Sequence, residues 1–152
     1  MSIDFRVRPP VPSYKSAEFY TNIADVSQRA ARFGAEISPC AKTFSMDDLI
    51  KEMDECGVEL AVIPIRKGCG GNNEDLLYLH ENWPNRFIGL AGIAPLMGLD
   101  KAFAEIEQYV KHGPCAGIAL EPAFDPEPWF VDDERVFPLY EKCQAEDIPV
   151  VF

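Results

Sequence analysis

The chain has 152 residues, of which 47% are apolar and 26% are charged, and this size is sufficient for one domain with a hydrophobic core. Its 25 acidic and 14 basic side chains give a formal net charge of −11. Such a charge disfavours binding to the phosphate backbone of nucleic acids or to an anionic membrane surface.

The first predicted element is a short strand over residues 3–7, which are mostly apolar or β-branched and are followed by two prolines. Residues 9–44 show no strong periodicity and contain four prolines, which predicts a long loop with one short helix near residues 26–33. A helix is expected to begin at Ser45, because Ser45 and Asp48 have the spacing of a capping box. Gly57 is the residue expected to end this helix.

The rest of the chain alternates between apolar runs and amphipathic segments. Strands are predicted over residues 58–65, 86–94, 116–120 and 148–152, and further helices over 74–82, 99–111 and 138–146. Strict alternation of strands and helices predicts an α/β fold with a parallel sheet. From the residues alone, the sheet is either open and doubly wound or part of a barrel. Neither GxGxxG nor GxxxxGK[ST] occurs, so the sequence does not predict a dinucleotide or nucleoside triphosphate site.

Two residue types bear on compartment and metal binding. The five cysteines include no CxxC pair, and the N-terminal MSIDFRVRPP lacks the apolar core of a secretory signal. We therefore expect reduced thiols and a cytoplasmic protein. His80 and His112 are the two histidines and have no histidine neighbour at metal-ligand spacing, so neither is predicted to be catalytic.

Five segments resemble, in the same order, those of the amidohydrolase-2 family, the aminocarboxymuconate-semialdehyde decarboxylase-like barrel enzymes. They are Ile3-Asp4 in the first strand, DDLIKEMDECGVELA at 47–61, NRFIGLA at 85–91, GIALEP at 117–122, and the set DDER, PLYE and IPV between 132 and 150. The resemblance implies a single partial domain over residues 1–152, with about five strands and four helices of a (β/α)₈ TIM barrel. It also implies that a histidine follows Phe152. Five strands leave two sheet edges and apolar surface uncovered, so we expect the half-barrel to associate with itself as a homo-oligomer, unless residues 9–44 fold over the open face.

The family binds a divalent metal such as zinc through two histidines on its first strand. The corresponding positions here are Arg6 and Arg8, and a guanidinium group has no lone pair to offer a metal. We therefore expect no transition metal to bind this chain, although the resemblance implies one.

Asp4, Arg6 and Arg8 alternate along the first strand, which predicts that they share one face and point into the barrel lumen. Asp4 is then a candidate catalytic group, and Arg6 and Arg8 are candidate substrate-binding groups for a carboxylate or phosphate. The alternative is a structural Asp4–Arg6 pair with Arg8 reaching solvent.

Three further candidates follow later strands, at the end that forms the active-site face of a barrel. Glu121 is a candidate general base or a partner for the strand-one arginines, or else a solvated carboxylate. Arg66, next to Lys67, is a candidate for binding an anionic substrate. Trp129 is a candidate for lining a pocket, or else packs within its loop.

The resemblance implies a hydrolase or decarboxylase that acts on a small carboxylate. The alternatives are a metal-free anion-binding or inactive paralogue, and a truncated barrel fragment without activity of its own.

Overall fold

The computed structural model describes residues 2–152 and contains one curled sheet of five parallel strands. The strands pair in the order β1-β2-β3-β4-β5, so each strand lies beside its neighbours in sequence. Their bounds are β1 (Ile3–Phe5), β2 (Leu60–Pro64), β3 (Phe87–Ile93), β4 (Gly117–Leu120) and β5 (Val150–Val151). The predicted α/β class and parallel half-barrel are confirmed.

Four helices connect consecutive strands from β1 to β5, as predicted. They are α4 (Met46–Glu55), α5 (Glu74–Asn82), α6 (Leu99–Ile106), which continues as a π-helical turn over Glu107–Lys111, and α7 (Phe137–Ala145). The Ser45 side chain accepts a hydrogen bond from the Asp48 amide and caps α4, and Gly57 follows that helix with φ of +66°.

The segment between β1 and α4 differs from the prediction of a long loop. It contains a 3₁₀ turn (Pro12–Ser16) and three short helices: α1 (Glu18–Thr21), α2 (Ile23–Ala31) and α3 (Pro39–Thr43). Helices of four or five residues are too short to show an apolar period, so the sequence pattern missed α1 and α3. The segment is therefore a small helical layer rather than an unstructured connection.

The two faces of the sheet have different surroundings. One face packs against the helices through residues such as Ala61, Ile63 and Ile118, which join the main core with Leu76 of α5 and Leu139 of α7. The opposite, concave face carries a small apolar cluster of Val62, Leu90 and Ala119. In a complete barrel the concave face is the lumen.

Strand β1 contradicts the predicted orientation of Asp4. Asp4 is in register with Ala61 and so lies on the helix-covered face, whereas Phe5 is in register with Val62 on the concave face. Regular alternation ends at Arg6, which has φ of +82°. The amides of Arg6 and Val7 both donate to the Val62 carbonyl, at 3.1 and 3.0 Å, so Arg6 is the extra residue of a β-bulge.

The concave side leaves apolar side chains in solvent at the sheet margins. Phe5 is 55% exposed, and Phe152, which follows β5, is 58% exposed. The expected self-association stays a prediction.

Along residues 2–152, none of the helices has the length and apolar character needed to span a membrane.

Candidate functional site

Charged side chains converge where β1, β2 and β4 end. Arg6 follows β1, Arg66 lies two residues after β2, and Glu121 follows β4 directly. Arg66 Nε donates to Glu121 Oε1, and Arg6 Nη2 lies 3.7 Å from the same oxygen. The structure therefore brings together three of the predicted site residues. The alternative Asp4–Arg6 pair does not form, since Asp4 lies on the other face of the sheet.

Arg66 is fixed from several directions and is 9% exposed. Its backbone amide donates to the hydroxyl of Tyr14 over 2.9 Å, and its guanidinium lies 4.7 Å from the centre of the Phe124 ring. Stacking on an aromatic face and pairing with a carboxylate both suit a planar guanidinium. The second oxygen of Glu121, Oε2, is buried and has no hydrogen-bond partner among residues 2–152.

Arg8 lies beside this pair without a carboxylate of its own. Its guanidinium is 5.4 Å from the centre of the Phe19 ring, and its Nε is buried with no hydrogen-bond partner among the described residues. Burial lowers the pKa of Arg8, and the positive charges of Arg66 and Arg6 lower it further. Arginine nevertheless remains charged in proteins, so Arg8 is an uncompensated cation.

A cleft of about 630 Å³ opens beside these arginines. Its wall combines Arg8 and Arg66 with the rings of Phe19 and Phe124 and the thiol of Cys69. Arg6 and Arg66 share the carboxylate of Glu121, and Arg8 has no carboxylate partner among the described residues. Glu18 and Arg29 also line the cleft and pair with each other. The local charge is therefore positive by two units on a protein whose overall charge is −11. Such a site attracts anions.

The helical layer before α4 completes the cleft. Tyr14 is fully buried, and burial raises the pKa of its hydroxyl to about 12, so it stays protonated at neutral pH. The Ser13 amide donates to Asp75 Oδ2 over 3.3 Å, and the Tyr20 hydroxyl donates to the Arg8 carbonyl over 2.7 Å. The sequence analysis did not predict Tyr14 and Phe19 as site residues. Their segment has no periodic pattern, so the sequence does not indicate which strand end the segment contacts.

The remaining predicted residues lie elsewhere or are already paired. The Trp129 ring is 5% exposed within the core, and its indole N–H donates to Asp125 Oδ2 over 2.7 Å. Phe124 of the same loop reaches the cleft. Lys67 Nζ contacts both carboxylate oxygens of Glu105, at 2.6 and 2.7 Å. Lys67 is therefore compensated by Glu105, and the excess positive charge at the strand ends comes from the arginines.

The donor set at the strand ends does not fit a divalent metal. Arg6 and Arg8 offer no lone pair, and Glu121 is engaged by Arg66. His80 lies on α5, and His112 follows the π-helical turn, on the outer side of the sheet. Within residues 2–152, no three histidine, cysteine or carboxylate side chains converge as metal ligands.

Comparisons with known proteins place this geometry in context. The family model described as Amidohydrolase (Amidohydro_2) matches residues 23–152. The fold superposes on an uncharacterised TIM-barrel protein of Bordetella bronchiseptica with a TM-score of 0.86, at 30% identity over 98% of this chain and 53% of that chain. No curated protein sequence matches the chain significantly.

More distant solved structures share the fold. A 2,6-dihydroxybenzoate decarboxylase from Rhizobium gives a TM-score of 0.65 at 18% identity, over 98% of this chain and 48% of that chain. An amidohydrolase II gives a TM-score of 0.64 at 15% identity, over 99% of this chain and 49% of that one. The chain thus spans about half the length of the solved structures it matches, and the TIM-barrel architecture is shared.

Proposed function

Because the chain belongs to the amidohydrolase family whose model matches residues 23–152, we propose that the protein is a hydrolase or decarboxylase acting on a small carboxylate substrate. The Rhizobium neighbour acts on a dihydroxybenzoate, but at 18% identity that likeness extends only to the fold. The proposed substrate class rests on the arginines of this chain.

One observation carries the proposal: Arg8 is a partly buried cation with no anionic partner among the described residues. A charged group that is removed from water without a counter-ion is costly, and a bound anion would offset that cost. A carboxylate is the expected anion because its two oxygens match the forked donors of a guanidinium. The Phe19 and Phe124 rings along the cleft suit an apolar or aromatic body on the substrate.

Glu121 is the proposed proton-transfer group. Arg66 holds its Oε1, while Oε2 is free of any hydrogen bond within residues 2–152 and is able to accept a proton. In a hydrolysis Glu121 would take a proton from the attacking water. In a decarboxylation it would first take a proton from water and then deliver it to the carbon that loses CO₂. Asp4 is given no role in this proton transfer, since it lies on the helix-covered face of the sheet, away from Glu121.

A second candidate is a metal-free binding module or inactive paralogue that holds an anion without transforming it. Arg6 and Arg8, which stand at the positions corresponding to the family's histidines, favour this reading. Product analysis separates the two functions: an enzyme releases CO₂ or a hydrolysis product from a small carboxylate, and a binding module does not.

The direct test is calorimetric titration with benzoate at low ionic strength, where charge contacts are least screened. Arg8→Gln should weaken binding by about 10- to 100-fold, because it removes a charge-assisted contact of about 1.5–3 kcal/mol. Arg32→Gln removes the same charge from an exposed position at the end of α2 and should leave binding within about 2-fold, as expected for an exposed charge.

Benzamide provides the neutral counterpart of benzoate and should bind much more weakly. If Arg8→Gln and Arg32→Gln bind benzoate equally, or if benzamide matches benzoate, the anion site does not exist as described.

A further inference from the structure

We infer that the guanidinium groups of Arg6 and Arg66 supply, in this chain, the fixed positive charge that a divalent metal ion would otherwise supply at the strand ends, with Glu121 as their positioning residue. The inference rests on the proposed function, because it adds the charges of these two groups to that of Arg8 at the same anion site.

The contacts of Glu121 are the first step. Its Oε1 is shared by two guanidinium groups, with Arg66 in hydrogen-bond contact and Arg6 at 3.7 Å. The Glu121 side chain is 13% exposed, so this shared oxygen is held in a largely desolvated place. A metal ion that bound this oxygen would have to displace a guanidinium and then remain beside it, and like charges at such distances repel strongly.

The second step concerns side chains other than Glu121 that could bind a metal ion near the strand ends. Asp4, the nearest carboxylate in sequence, is directed to the helix-covered face and lines a cavity with Leu49 and Met53 of α4, away from Glu121, although Arg8 and Phe19 also form part of that cavity's wall. Metal binding needs at least three converging ligands of the right type, and residues 2–152 provide no such group. The chemistry of the strand ends is therefore that of an arginine clamp around one carboxylate.

The backbone at Arg6 is the third step. The β-bulge and the positive φ of Arg6 turn its side chain away from the edge of β1. The guanidinium group then reaches Glu121, which follows β4. A non-glycine residue in this region of φ is unfavourable and persists where surrounding contacts hold it. The Val62 carbonyl and Glu121 together provide those contacts, so Glu121 positions Arg6 in addition to its proposed role in proton transfer.

Removal of the Glu121 carboxylate should change benzoate affinity in one direction if the arginines supply the charge and in the opposite direction if a metal ion supplies it. Glu121→Gln keeps the shape of the side chain but removes the counter-ion of Arg6 and Arg66. Benzoate should then bind several-fold more tightly, because two guanidinium groups lose their internal partner. If Glu121 were a metal ligand, the same substitution would weaken both metal and benzoate binding.

The experiment measures metal content and benzoate affinity on the same samples. The full chain is incubated with Zn²⁺ or Mn²⁺, desalted and analysed by mass spectrometry of the elements, and benzoate is titrated with and without EDTA. Glu127→Gln, an exposed carboxylate that pairs with Arg135, is the matched control. Circular dichroism checks that each variant is folded.

The expected result is far less than one metal ion per wild-type chain, an unchanged benzoate affinity in EDTA, and tighter benzoate binding by Glu121→Gln alone. One retained metal ion per chain that is lost in Glu121→Gln, or benzoate binding that EDTA abolishes, would overturn the inference. Should Glu121→Gln fail to fold, the wild-type measurements still decide it. Absence of benzoate binding in every sample would instead refute the proposed function and leave the metal result standing.

Discussion

Replacing Asn73 by alanine should be among the most destabilising polar substitutions in this protein. Asn73 is 2% exposed and binds the backbone of Gly92 in both directions: the Gly92 amide donates to Asn73 Oδ1 over 2.8 Å, and Asn73 Nδ2 donates to the Gly92 carbonyl over 3.1 Å. Asn73→Ala leaves both backbone groups buried without a partner. Each such group costs about 1–3 kcal/mol, so we expect a loss of about 2–6 kcal/mol in the free energy of unfolding.

Asn82→Ala is the matched control, since the exposed Asn82 side chain also donates to a backbone carbonyl, that of Tyr78, over 2.8 Å. Its loss should be below about 1 kcal/mol because water replaces the contact. Urea unfolding of both variants measures the difference, provided that the slope against urea is unchanged. Losses within about 1 kcal/mol of each other would mean that the Gly92 groups find other partners, and the reasoning would fail.

Two further predictions concern strand β3 and helix α5. Gly92→Ala should cost about 3 kcal/mol, because its Cβ would lie 2.6 Å from the Ile65 carbonyl oxygen. Gly89→Ala should cost less, because its Cβ would meet side-chain atoms rather than backbone: the Leu76 methyl groups at 3.1 and 3.2 Å and the Cys115 sulfur at 3.4 Å. Equal losses in urea unfolding would contradict this. Burial raises the pKa of the Asp75 carboxyl, so the folded state binds the carboxyl proton more tightly than the unfolded state does. This proton binding stabilises the fold at low pH, and the stabilisation is lost as the pH rises through the raised pKa. The melting temperature of Asp75→Asn relative to wild type should therefore be higher at pH 7 than at pH 3, and a difference that is constant with pH would refute the assignment.

The barrel elements were predictable because they follow strong local rules. Helix α5 begins and ends where its apolar spacing and the following Trp83-Pro84 indicate, and α4 starts at its Ser45 cap. The apolar run that contains β2 is typical of a strand buried on both faces. The position of Glu121 at a strand end followed from the predicted strand bounds. Its pairing with a strand-one arginine was one of the alternatives that depended on the barrel implied by the family resemblance.

The failures have a common physical origin in non-local contacts. Alternation placed Asp4 in the lumen because it assumes an unbroken strand, and the bulge at Arg6 is set by the Val62 carbonyl of a neighbouring strand. Asn73 directly precedes α5, a position where asparagine commonly caps the helix, yet its side chain contacts Gly92, 19 residues away. No local pattern encodes such partners, and the docking of Tyr14 on Arg66 has the same cause.

Helix α2 has a consequence for how a ligand would reach the arginines. Ile23–Ala31 contributes no buried residue, although Val26 and Arg29 form part of the cleft wall. A helix that buries so little surface opens at a small fraction of the global unfolding free energy, whereas β2 and β3 open only with the whole sheet. Amide hydrogens of α2 should therefore exchange with solvent many times faster than those of β2. The entrance to the cleft would then be controlled by reversible melting of one helix, and ligand affinity would include the free energy of closing it again.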